Sequence, residues 1–245
     1  MQRPSKRGHA QPPKPVIIIP PFFGKMVNLL AGGRIQVDAI IFGDYTKSFL
    51  QLLLGMIAFG QSGIGPDRHY GANRFEVASV KCLESGGYVM NDSKIHSDSF
   101  VTRDVRDLEP LPKDKMIMRF RTPFTGAYMP STLSDIIRLI RHRLILFVNE
   151  YGSGEDIPSV DPEGKITIKE VHTHILRRRS LRSNKNFFTG WTGTILIDMS
   201  KFSEEARWLF SCASIIGMGP DSAFGSGFVE IFPSNTKTEI THHVL

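Results

Sequence analysis

Two histidines lead directly into a run of cationic side chains in the last third of this sequence. His172 and His174 are separated by a single residue. The stretch that follows them contains Arg177, Arg178, Arg179, Ser180, Arg182 and Lys185. Imidazole exchanges protons near neutral pH, and guanidinium groups bind phosphate through paired hydrogen bonds to which a hydroxyl adds another donor. The pattern predicts a site for a polyanion such as RNA, with His172 and His174 as candidate catalytic residues.

The charge around this stretch supports the prediction, although plainer interpretations remain open. No Asp or Glu occurs between Glu170 and Asp198, so neighbouring acids do not neutralise the cations. The alternatives are a solvated basic loop for the arginines and two half-exposed strand residues for the histidines. A His-x-His pair can also hold a metal ion, but no third ligand stands at a supporting spacing. We therefore predict neither a metal nor a cofactor.

A glycine-rich stretch occurs twice in the chain. GIGPDRHYGANRFEV at 63–77 nearly recurs as GMGPDSAFGSGFVEI at 217–231, without a gap. Glycine accepts positive φ and allows a backbone or a phosphate to approach closely. The stretch is neither a dinucleotide fingerprint, which runs from strand to helix, nor a P-loop, which needs Gly-Lys-Ser/Thr. A tight structural connection is the alternative to a role in RNA binding. The candidate RNA contacts in the two stretches are Arg68, His69, Gly217, Gly219, Gly225 and Gly227.

Composition limits the class of protein. The 245 residues are 41% hydrophobic, which is enough for a sizeable core, and the formal net charge is +6. The chain shows no apolar run of membrane-spanning length and no secretory signal, and Cys82 and Cys212 are its two cysteines. We therefore expect a cytoplasmic protein with no membrane partner.

Periodicity along the chain predicts how these motifs are positioned. Alternating or β-branched residues predict strands at 34–43, 73–84, 115–126, 166–178, 188–199 and 227–232. Helical periodicity predicts helices at 46–60 with Thr46 as N-cap, at 133–152 and at 203–217. The second half therefore has the β-α-β-β-α-β order of a ferredoxin-like fold, and the first half matches its last three elements. The predicted fold class is α+β, with tandem ferredoxin-like units of which the first is incomplete.

The same pattern divides the chain into segments. We expect a disordered basic arm at 1–15, a partial ferredoxin-like unit at 16–113, a complete unit at 114–233 and a tail at 234–245.

The order of these motifs resembles the RAMP superfamily of CRISPR-associated proteins. Within it, the chain is similar to the endoribonucleases that process precursor CRISPR RNA. The resemblance rests on the closing G-x-G-x5-G-x-G of 217–227, PKPVIIIPPF at 13–22, the strand–helix–glycine segment at 40–65, MRFRTPFTG at 118–126 and RRSLRSNKNFFTGWTG at 178–193.

The resemblance implies a function. Such enzymes bind CRISPR repeat RNA on a basic face and cut it by metal-independent transesterification, which leaves a 2′,3′-cyclic phosphate. Members commonly place a catalytic histidine in the first helical region of the first unit, and that region is expected to be missing here. The alternatives are a non-catalytic RNA-binding subunit, either an inactive processing enzyme or a component of a CRISPR effector with other Cas proteins, and an RNA-binding module unrelated to CRISPR.

Overall fold

A computed structural model describes residues 13–19, 21, 30–63, 73–126, 128–152, 156–160, 164–177, 187–219 and 226–235. The strands are β1 (Val16–Ile19), β2 (Asp38–Ile41), β3 (Ser79–Lys81), β4 (Tyr88–Asn91), β5 (Lys94–Ile95), β6 (Lys115–Phe120), β7 (Ile166–Arg177), β8 (Phe187–Asp198) and β9 (Val229–Pro233). The helices are α1 (Phe49–Ser62), α2 (Leu133–Tyr151) and α3 (Glu204–Ile216). A larger unit comprises the residues up to Ile40 and from Leu108 onward, and a smaller unit spans Ile41–Asp107.

The larger unit is built on a four-stranded sheet. Its strand order is β7-β8-β6-β9, and each neighbouring pair is antiparallel. Along the chain the elements follow as β6-α2-β7-β8-α3-β9, which gives the ferredoxin-like topology. The predicted α+β class and the predicted order of elements in the second half are confirmed.

The core of this unit lies on one face of the sheet. Met116 and Met118 of β6 are buried, and they stand opposite Ile197 and Ile195 of β8. The apolar stripes of α2 and α3 are also buried, and the two helices contact each other. Since strand side chains alternate between faces, the residues in between lie on the opposite face, which we call the open face. The open face is therefore where side chains are available to a ligand.

Capping residues fix where the helices of the larger unit begin. The Thr132 hydroxyl accepts a hydrogen bond from the Asp135 amide at 3.1 Å, and the Ser203 hydroxyl accepts one from the Ala206 amide at 3.2 Å. Each bond satisfies an amide that has no partner within its helix. The predicted helices at 133–152 and 203–217 are confirmed, with Gly152 and Gly217 as their C-caps.

The predicted strand at 115–126 is too long, because β6 ends at Phe120. The amides of Arg121 and Thr122 both point to the Phe228 carbonyl, at 2.8 and 3.4 Å, which interrupts the ladder. Pro123 then has no N–H to offer to a neighbouring strand.

The smaller unit packs α1 against a three-stranded sheet of order β3-β4-β5. Phe49 and Leu53 of α1 form a cluster with Val89 and Met90 of β4. Phe49 also stacks on Phe100, with ring centroids 4.1 Å apart. This unit therefore has a small apolar core of its own.

Three element boundaries in the first half differ from the prediction. The strand predicted at 34–43 is confined to β2, and the one predicted at 73–84 is confined to β3. The helix predicted at 46–60 begins at Phe49, because Thr46 lies in a 3-10 turn, where its hydroxyl donates to the Gly43 carbonyl at 2.8 Å. The Phe75 amide donates a hydrogen bond to the Gly60 carbonyl of α1 at 3.1 Å, so this residue bonds to a helix and not to a neighbouring strand.

Candidate nucleic-acid interface

The long β7–β8 hairpin carries the two candidate catalytic histidines. His172 stands opposite Thr192, and His174 stands opposite Gly190. Directly opposed residues of an antiparallel pair share one face of the sheet. Ile195 and Ile197 of β8 face the core. Since side chains alternate along a strand, Thr194 and Thr192 face the opposite way, toward the open face. His172 is therefore placed on the open face, and His174 follows it two residues further along β7.

His172 has the exposure that a group exchanging protons with a ligand needs. Its side chain is 64% exposed, and its Nε2 lies 3.9 Å from the Glu170 carboxylate. A carboxylate at that distance can orient a protonated imidazole. The position of His172 is compatible with acid–base chemistry and equally with a solvated strand residue.

Most of the predicted cationic contacts fall outside the described residues. Arg177 is the last residue of β7 and stands opposite Phe187. The other RNA-contact candidates that lie outside the described residues are Arg68, His69, Arg178, Arg179, Ser180, Arg182, Lys185 and Gly225. Their role in RNA binding stays a prediction.

The three described glycines of the second glycine stretch are required by the backbone. Gly217, Gly219 and Gly227 all have positive φ, at 67°, 91° and 70°. The Met218 amide donates to the Gly227 carbonyl at 2.9 Å, and the Gly227 amide donates to the Pro123 carbonyl at 3.0 Å. A Cβ at position 227 would stand 2.0 Å from the Met218 carbonyl oxygen. These glycines close a tight backbone crossing, and their role in RNA binding stays a prediction.

Phe124 joins the hairpin to the glycine stretch, and sequence reasoning missed it. Phe124 exchanges two backbone hydrogen bonds with Trp191 of β8, at 2.7 and 2.8 Å. On the glycine side, a Cβ at position 219 would stand 2.4 Å from the Phe124 ring. The only local signal was the Thr-Pro-Phe turn after β6, and it does not reveal these long-range partners. The two predicted RNA-contacting regions therefore share one buried aromatic residue.

A group of ion pairs on the open face was also not predicted from the sequence. Glu230 accepts a hydrogen bond from Arg119 at 2.6 Å and forms an ion pair with Arg121 at 3.1 Å, and Arg121 forms a second ion pair with Asp38 at 2.9 Å. Arg119 also lies over the Phe232 ring, 5.3 Å from its centroid. Two guanidinium groups and two carboxylates cancel in formal charge. The guanidinium groups of this cluster are therefore partly engaged within the protein.

Metal ligands and membrane-spanning helices bear on the class of site. The described residues contain no group of three or more His, Cys, Asp or Glu side chains that could hold a metal ion. Within the same part of the chain, each helix is too short or too polar to cross a membrane.

Comparison with known proteins places this architecture. A family model described as a C-terminal domain matches residues 116–231. An uncharacterized protein of Archaeoglobus fulgidus is 32% identical over 227 residues, which cover 92% of this chain and 75% of that protein. A solved product complex of Cas6 from Thermus thermophilus superposes with a TM-score of 0.55 at 19% identity, covering 91% of this chain and 84% of that one. The chain therefore has a Cas6-like α+β fold.

Proposed function

Because this chain belongs to the same family as the Archaeoglobus fulgidus protein and has a Cas6-like fold, we propose that it binds CRISPR repeat RNA and cleaves precursor CRISPR RNA. The observation that carries the proposal is the placement of the two histidines. His172 lies on the open face of β7, the strand that leads into the arginine-rich segment, and His174 follows it two residues later in the same strand. A proton-exchanging group beside a set of phosphate-binding cations is the minimum that RNA cleavage requires.

The proposed reaction is a metal-independent transesterification. The ribose 2′-hydroxyl attacks the adjacent phosphorus while the bond from phosphorus to the 5′-oxygen breaks. The products are a 2′,3′-cyclic phosphate and a 5′-hydroxyl. One histidine of the pair removes the 2′-hydroxyl proton, and a second group protonates the leaving oxygen. Arginines of the hairpin tip stabilise the negative charge that develops on the phosphorane.

The first test is a cleavage assay with labelled repeat RNA from the protein's own locus. EDTA is present, and the chemical ends of the products are determined. We expect one cut that leaves a 2′,3′-cyclic phosphate, with at least a hundredfold loss of rate in His172→Ala or His174→Ala, in the range of a general acid–base contribution. His142→Ala is the matched control, because His142 is an exposed histidine of α2. Unchanged rates in both hairpin variants would remove these histidines from the mechanism.

The second test addresses the arginines through the salt dependence of binding. If Arg178 and Arg182 each contact one phosphate, replacing both by Ala lowers the slope of log K against log salt by about two. Arg106→Ala is the control, since Arg106 is an exposed arginine of the smaller unit. A slope equal to that of the wild-type protein would exclude both arginines from the interface.

A non-catalytic RNA-binding subunit is the second candidate, and one observation favours it. Arg119 and Arg121, the described arginines of the open face beside β6, are already paired with Glu230 and Asp38. The charged group next to His172 is a carboxylate, that of Glu170. Neither arrangement supplies a described cation for a phosphorane. Tight binding of repeat RNA without cleavage would select this candidate.

A further inference from the structure

A small cleft lies where the loop after β6 meets the first turns of α2. Its volume is about 160 Å³. The loop contributes Phe124, Gly126, Tyr128 and Pro130 to its lining, and α2 contributes Asp135 and Arg138. The cleft adjoins the glycine stretch, because Phe124 is the residue against which Gly219 packs. The described residues that line it include neither His172 nor His174.

The floor of the cleft is apolar and held in place. Phe124 is 3% exposed, and its backbone is paired with Trp191. The Trp191 indole donates to the Gly126 carbonyl at 3.1 Å, which anchors the next part of the loop. A Cβ at position 126 would stand 2.1 Å from the Phe124 ring, so a side chain at this position would displace that ring.

The rim of the cleft combines an aromatic ring with one acceptor and one donor. The Tyr128 side chain lines the cleft, yet the residue is 66% exposed. Asp135 accepts hydrogen bonds from the Thr132 hydroxyl at 2.7 Å and from Arg138 at 3.1 Å. Those two bonds keep the carboxylate in place and lower its pKa, so it remains an anion at neutral pH. Arg138 is 70% exposed and keeps N–H groups beyond the one that binds Asp135.

These groups suit a planar, uncharged ligand with both donors and acceptors on its edge. The Asp135 carboxylate repels phosphate, and it already compensates the charge of Arg138. The exposed Tyr128 ring, next to an apolar floor, instead offers a stacking surface. Resting on the proposed function, we propose that this cleft binds one unpaired nucleobase of the RNA, stacked against Tyr128, with its edge hydrogen-bonded to Asp135 and Arg138.

Three RNAs test the inference with the full-length protein. They are the repeat RNA of the locus, a single-stranded decamer of mixed sequence and an abasic decamer with the same ribose-phosphate backbone. The wild-type protein is expected to bind the base-bearing decamer about fivefold or more tighter than the abasic one, since stacking of one base contributes that much. In Tyr128→Ala this preference is lost, whereas affinity for the abasic decamer is unchanged. Tyr128→Phe keeps the ring and is expected to keep the preference.

Matched variants separate the cleft from the rest of the surface. Tyr88→Ala removes a tyrosine that is 51% exposed in the smaller unit, and it is expected to keep the preference. Arg138→Ala is expected to weaken the preference, while Arg106→Ala, which breaks a comparable Arg–Asp pair, keeps it. If the wild-type protein binds repeat RNA but Tyr128→Ala retains the full preference, the inference is wrong and the proposed function stands. If the wild-type protein binds none of the three RNAs, both are wrong.

Discussion

The two glycine-rich stretches end their helices in the same way but lead into different structures. Gly63 caps α1 with φ 80° and ψ 165°, and Gly217 caps α3 with φ 67° and ψ −175°. Ten residues further on, Asn73 has φ 56° and Gly227 has φ 70°. Asn is among the few non-glycine residues that adopt positive φ readily. The backbone conformation thus recurs at both flanks of the loop, which supports duplication of one helix–loop–strand joint.

The two copies diverge where a partner strand is needed. Val229 and Ile231 pair with Phe120 and Met118 of β6 as part of β9. The corresponding residues 75 and 77 precede β3 and belong to no strand. Phe75 packs edge-on against Phe59 instead, with ring centroids 6.3 Å apart. Turn conformation is a local property of glycine and asparagine, whereas a strand also needs a neighbour with which to form hydrogen bonds.

The two cysteines provide the largest expected difference between the units. Cys212 of the larger unit is fully buried, and desolvation raises its pKa to about 12. At pH 8 its thiolate fraction is on the order of a thousandfold below that of an ordinary thiol, and it rises about tenfold with each pH unit. We expect iodoacetamide to alkylate Cys82 of the smaller unit first and Cys212 only after unfolding, as measured by peptide mass spectrometry. Alkylation of both at one rate in the folded protein would contradict the expectation, and equal labelling in urea is the control.

Asn73 and Gly227 hold the second positive-φ position of the two glycine-rich stretches. Exchanging these two residue types tests whether the two stretches are structurally equivalent. The substitution Gly227→Asn introduces a residue that tolerates positive φ, but its Cβ would stand 2.0 Å from the Met218 carbonyl oxygen. We expect a loss of about 3 kcal/mol in the free energy of unfolding. Asn73→Gly should change it by less than about 1 kcal/mol.

The free energy of unfolding of Gly227→Asn is measured by urea unfolding followed by tryptophan fluorescence, because Trp191 and Trp208 both belong to the larger unit. For Asn73→Gly, urea unfolding is followed by far-UV circular dichroism. A Gly227→Asn protein as stable as the wild type would mean that the crossing at 218–227 relaxes without cost.

Two glycines of α1 offer a smaller contrast within one helix. A Cβ at Gly60 would stand 2.4 Å from the Phe75 carbonyl oxygen, whereas one at Gly55 would meet open space. We expect Gly60→Ala to destabilise the smaller unit by about 2 kcal/mol. Gly55→Ala is expected to stabilise it by roughly 0.5–1 kcal/mol through helix propensity alone. Thermal unfolding of the pair would show shifts of opposite sign, and shifts of the same sign would disprove the contact between Gly60 and Phe75.

The ion pairs of the two units provide the smallest expected effects. Glu230 of the larger unit binds two arginines, whereas Glu84 of the smaller unit binds Arg103 in a pair of 2.8 Å. These side chains are partly exposed, so Glu230→Gln should cost about 1 kcal/mol and Glu84→Gln about 0.3 kcal/mol. Both losses should shrink in high salt. Equal losses in the two variants would mean that the second arginine adds nothing.

The sequence by itself determined the local features of this protein. Thr132 and Ser203 mark helix starts because a side-chain oxygen binds an amide three residues away, which needs no distant partner. Alternation predicted β7 and β8, and the repeated glycines predicted two related joints. Local rules failed for residues 73–78, where strand propensity was present but the residues joined no strand.

Only the tertiary structure decided which distant residues meet. Glu230 lies 111 positions from Arg119 along the chain, and no local spacing relates them. The same holds for Phe124, which is held by Trp191 and covered by Gly219, and for the cleft that Tyr128 borders. Such contacts depend on strand order and register, which are fixed when the whole sheet buries its apolar face. Residue types that suit RNA chemistry could therefore be proposed from sequence, whereas the contacts between distant residues could not.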